Sequence, residues 1–160
     1  MNNDKTSINR DAFLRDVLFI LRETFEGSPE GQSSAYLDRG VSVFSTLDGL
    51  SAEESSVRIN STSVAAHTEH AKFYLDRLVE FIEGRKEKVH WEQSWLIETV
   101  STEEWDILRA GMKKSYDNVL RCFSEITDWN EETLGGAIAI IAHTAYHLGA
   151  IRQIMKGARI

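Results

Sequence analysis

The chain has 160 residues, 42% of them hydrophobic and 27% charged, and a net charge of −7. That is enough for one domain with an ordinary core and the composition of a soluble globular protein, and the acidic balance argues against a nucleic-acid surface, which needs clustered Lys and Arg. No run approaches the ~20 apolar residues of a membrane span, the first residues lack the apolar segment of a signal peptide, and the lone Cys122 rules out an internal disulfide, so a cytoplasmic protein without membrane contact is expected.

A first helix is predicted over residues 9–26, with Ile8, Phe13, Val17, Ile20, Leu21 and Phe25 as its apolar stripe. Gly27-Ser28-Pro29-Glu30-Gly31 ends it, since both helix breakers fall in five residues. A second apolar-periodic stretch, residues 33–50, carries Tyr36, Leu37, Val41, Phe44 and Leu47 and reads as a shorter helix, either a full packing member or a short crossing segment. Ser51-Ala52-Glu53-Glu54 reads as a capped turn, and residues 57–60 as a brief extended or irregular link. The next long helix begins at Ser61-Thr62-Ser63, whose hydroxyls can cap a first turn, and runs to Glu83, where Gly84 stops it. Its buried side is expected to hold Val64, His67, Ala71, Tyr74, Leu78 and Phe81.

Helical periodicity breaks after Arg85. Trp91 and Trp95 fall in this loop-like part, and two tryptophans are costly to leave in water. The segment should fold back over the helices or line the mouth of a pocket. Ser101-Thr102-Glu103-Glu104 is another cap signature, and the helix it opens reaches Ile126 along Trp105, Leu108, Met112, Tyr116, Val119 or Leu120, and Phe123. Cys122 lies within that pattern and reads as buried filler rather than a nucleophile. After a turn at residues 127–130, a last helix spans residues 131–155 with Leu134, Ile138, Ile141, Ala145, Leu148, Ile151 and Met155 as its stripe. Gly135-Gly136 near its start would permit a close helix contact or a ligand against the backbone. No segment alternates as a strand, so the expected fold is all-α, a four-helix bundle with an additional short helical segment.

The last helix carries the chemistry. His143 and His147 are four apart, so both rings project from one face and can reach a single ion. The segment reads His-Thr-Ala-Tyr-His, without the Glu that follows the first His in zinc proteases, so a third ligand and any base must come from elsewhere. Of five histidines, His67 and His70 form a second same-face pair on the 61–83 helix, and His90 stands apart. Three His ligands with an open fourth position would make a reactive zinc site, and imidazole also suits nickel, iron and copper. The competing reading is histidines that merely pack, cap or hydrogen-bond at a helix interface.

Ser63 to His70 together with His143, His147, Gly149, Ile151 and Gln153 resembles the motifs of the DinB-like (DinB/YfiT) superfamily. The likeness covers about Phe13 to Gln153. It implies a four-helix bundle with a metal on one early His and the late pair: His70, His143 and His147, with His67 as the fallback ligand or a partner behind the ligands. Members resemble thiol-dependent S-transferases and isomerases or are described as metal-dependent hydrolases, and several resemble homodimers. The resemblance therefore implies a divalent cation (Zn, Ni or Fe), a small-molecule substrate, a homodimer and, in the transferase version, a low-molecular-weight thiol. No residue of this chain marks a thiol site. Glu69, Tyr74 and Tyr146 are candidates for a general base, with Glu69 expected to point off the ligand face, while Arg152 and Gln153 read as solvated or interface residues. The rival class is a non-catalytic binding or stress-response bundle with structural histidines.

Overall fold

Local chemistry sets most of the element boundaries. The computed structural model describes residues 9–159, so the predicted contribution of Ile8 lies outside the described residues. Helix α1 (Arg10–Glu26) starts at Asn9, whose side chain accepts the Ala12 N–H, and stops at Gly27, which takes a positive φ of 87°. α2 (Val43–Asp48), α3 (Ala52–Ser55) and α5 (Thr102–Glu125) each open with a reciprocal capping box, from Ser42, Ser51 and Ser101. α4 (Val64–Ile82) is capped by Ser63, and α6 (Glu131–Ala158) by Asn130. A short 3-10 turn at Trp91–Ser94 lies between α4 and α5. Among the described residues there is no strand, and the fold is all-α.

Two expectations need correction. The stretch 33–50 is not one helix: only Val43–Asp48 is helical. The chain from 35 to 37 instead gives its backbone N–H groups to the carboxylate of Glu23 on α1, at 2.6 Å from Ala35, 2.9 Å from Tyr36 and 2.8 Å from Leu37. Gly40 then turns with φ of 80°, and Ser42 restarts the helix. The second correction concerns α6, whose buried face is Ala137, Ile140, Thr144, His147, Leu148, Ile151 and Ile154. Ile138, expected inside, is exposed.

The core is built mainly where α4 lies between α5 and α6, with α1 against α6. Leu21, Phe25, Leu75, Val79, Trp105, Met112, Tyr116 and Ile140 are fully enclosed there. Gly136 serves a close approach of α6 to α4, since a Cβ at that position would lie 2.9 Å from the Ile82 side chain. Among the described residues α6 is also the one helix long and apolar enough by composition to cross a membrane, and here it packs on α4 and α1. The consequence for chemistry is that the first two turns of α4 face the middle of α6, and each carries two histidines.

Candidate metal centre

One ring nitrogen from each of His70, His143 and His147 lies within 4.8 Å of the other two. His70 Nε2 and His143 Nε2 are 3.1 Å apart. Ligands about 2.0–2.1 Å from a tetrahedral ion sit roughly 3.3 Å from one another, so this pair is already spaced for one cation, and a nitrogen of His147 lies within 4.8 Å of both. The ring centroids are 4.4 Å (His143–His147), 4.7 Å (His70–His147) and 5.0 Å (His70–His143) apart.

The hydrogen bonds behind the rings decide which nitrogen is free. Ser94, completely buried, places its Oγ 2.6 Å from the Trp91 carbonyl and 2.6 Å from His70 Nδ1. A hydroxyl has one proton, and the carbonyl can only accept. The Ser94 hydroxyl therefore donates to Trp91 and accepts from His70, which fixes the proton of His70 on Nδ1 and leaves a lone pair on Nε2. His147 is also held at Nδ1, which lies 2.8 Å from His67 Nδ1, but either ring can donate in that contact, so by itself it does not set the His147 tautomer. His143 differs, because its buried Nδ1 has no hydrogen-bond partner among the described residues and its ring instead stacks on Tyr74 with centroids 3.5 Å apart.

Of the four clustered histidines, then, the fold groups His70, His143 and His147 and sets His67 behind His147. Trp95 covers the group, stacked on His70 at 4.2 Å and edge-on to His67 at 5.2 Å, yet it stays 43% exposed. The tryptophan segment both folds back and forms a rim. Glu69 does point off the ligand face: its carboxylate accepts the N–H groups of Leu96 and Ile97 at 2.9 and 2.8 Å, which pins the Trp95 loop and occupies the carboxylate. Tyr74 is committed to packing over His143, and Tyr146 stands at the rim, 70% exposed, with its ring edge-on to His147. Arg152 and Gln153 are exposed. Cys122 is buried on α5, apart from the cluster, and burial pushes its thiol pKa up. His90 is exposed, hydrogen-bonded to Glu92.

Burial keeps the histidines neutral, the form that binds metal. Desolvation, aided by the neighbouring rings, lowers His147 to about 3 and His143 to about 4, and it lowers His70 and His67 as well. No carboxylate belongs to the group, and an all-imidazole set suits zinc, nickel, iron or copper rather than calcium or magnesium. Next to the centre lies a cavity of about 330 Å³, lined by Arg58, Thr62, Ser63, His67, Trp95 and Ile97.

Ser94 is the residue of the candidate site that periodicity misses. It lies in a non-helical segment and meets His70 across 24 positions. No protein-family model, curated protein or solved structure matches this chain.

Proposed function

We propose that the chain is a DinB-like four-helix bundle that holds one divalent cation (zinc, nickel or iron) on His70, His143 and His147. It works as a metal-dependent enzyme on a small molecule, by S-transfer from a low-molecular-weight thiol or by hydrolysis. The observation that carries this reading is the convergence of three buried or half-buried imidazoles from two facing helices, with Ser94 holding the His70 proton on Nδ1 and His67 engaging His147 at Nδ1. Such outer partners accompany most metal-ligating histidines.

A divalent cation held by His70, His143 and His147 would supply Lewis acidity, able to polarise an oxygen or lower the pKa of a water or thiol. The protein's own contribution is orientation and exclusion of water. Ser94 holds His70, Trp95 and Tyr74 shield the rings on two sides, and the rim at Tyr146 and Leu96 leaves an apolar approach. Those exposed side chains also suit a homodimer in which a second copy covers them. A cytoplasmic location fits the single buried thiol.

A second reading, a non-catalytic bundle with structural histidines, draws on the direct His70–His143 hydrogen bond. His143→Ala and His147→Ala separate the two. As ligands, they abolish metal binding and leave the helical signal largely intact. As packing residues, they lower the melting temperature with no metal to lose. Turnover of an electrophile that persists without any thiol removes the S-transfer version and leaves hydrolysis.

A further inference from the structure

His67 is buried, yet it is absent from the group of three that can surround one ion. Its Nδ1 nevertheless makes the one hydrogen bond that His147 has among the described residues, at 2.8 Å. Two neutral imidazoles that meet Nδ1 to Nδ1 must divide the roles, with one donating and the other accepting. If His147 donates, its Nε2 carries a lone pair. If His147 accepts, its Nε2 is protonated and cannot hold a cation. The metal-competent tautomer of His147 therefore requires His67 to accept at Nδ1 and to carry its own proton on Nε2.

The surroundings favour that arrangement. His67 also lines the 330 Å³ cavity, which Arg58 and Glu98 border as an ion pair 3.0 Å apart. The His67 ring thus borders a space large enough for water, so an Nε2–H there need not be left unpaired. His147 is only 3% exposed, and its ring lies against those of His70 and His143, with centroids 4.7 and 4.4 Å away. Trp95, edge-on to His67, limits rotation of the His67 ring about this contact.

We propose that His67 is a positioning residue of the metal centre: by accepting a hydrogen bond from His147 Nδ1, it selects the His147 tautomer whose Nε2 binds the cation. This rests on the metal reading above. It gives the chain's fourth clustered histidine a role that neither packing nor direct ligation supplies, and it pairs with Ser94, which does the same for His70 with a hydroxyl.

The test compares His67→Asn with His67→Leu in the full chain, stripped of metal and titrated with Co²⁺ against a competing chelator. The side-chain oxygen of Asn can stand where Nδ1 stands and accept the bond. Leu fills similar space without an acceptor. The Leu variant is expected to lose 10–100-fold in Co²⁺ affinity, the usual effect of removing such a partner, while Asn keeps most of it. The visible Co²⁺ spectrum should keep its form in Asn and change in Leu. Melting curves of the metal-free proteins verify that both fold. Equal affinities in Leu and wild type, or Asn as weak as Leu, would overturn the role of His67 while leaving the metal reading intact. A wild-type chain that takes up no Co²⁺ overturns both.

Discussion

Ser94→Ala isolates the support of a single proposed ligand, His70. The substitution deletes one buried oxygen and with it two 2.6 Å hydrogen bonds, to the Trp91 carbonyl and to His70 Nδ1. Trp91 is 39% exposed, so its carbonyl can recover a water partner, whereas the His70 N–H faces a site that is completely buried at Ser94. Leaving one such donor unpaired costs about 1–3 kcal/mol, which for a domain of this size is a fall of roughly 3–10 °C in melting temperature for the metal-free protein. Metal affinity should fall as well, because His70 can then rotate or place its proton on Nε2. A 10–100-fold loss, about 1.4–2.7 kcal/mol, is expected. Chelator competition read beside thermal melts gives both numbers. Melting that falls while affinity stays at the wild-type value would refute the reasoning, since the serine would then stabilise the loop alone.

Two further outcomes follow from the same structure. In the metal-free protein the buried histidines should make folding acid-labile. His147 and His143 are held down to about 3 and about 4, so between those values and ~6.5 the unfolded chain binds protons that the native state refuses. Their stabilisation is complete above about pH 6.5 and declines as pH falls, by at most about 1.4 kcal/mol per pH unit for each ring and less for the partly solvated His143. Urea melts from pH 7.5 to 4 check this, and a flat profile would contradict it. Glu23→Ala should destabilise by about 2–4 kcal/mol: it removes three charge-assisted hydrogen bonds, offset in part because the freed N–H groups near the exposed residues 35 and 36 regain water. The measurement is a shift in the urea midpoint, and a loss below 1 kcal/mol would show that α1 does not depend on that anchor.

Boundaries set by neighbours in sequence were legible. Ser51, Ser63 and Ser101 each cap a helix through atoms three residues away, and those signals can be read from the chain. The stretch 33–50 misled because Tyr36, Leu37, Val41, Phe44 and Leu47 mimic helical spacing, while the group that claims the backbone there, Glu23, is 12 to 14 residues distant. The phase of α6 misled for another reason. From Ala137 to Ile151 the helix is apolar almost all round, so periodicity has little contrast and the packing of α4 selects the face. At the site, the four-residue spacing of His143 and His147 was enough to pair them. Spacing could not choose between His67 and His70, which share a face, and the position of α6 against α4 sets one in the group and the other behind it. Ser94 left no signal, because its role exists only once the tryptophan segment folds onto α4.

The most direct test of the metal centre is elemental analysis of untagged protein purified without chelator, beside the His70→Ala variant. The account predicts about one equivalent of zinc, nickel or iron in the wild type and its loss in a variant that keeps the helical circular dichroism. No metal in either protein, and none taken up on titration, would contradict it and leave the histidines as packing groups between α4 and α6.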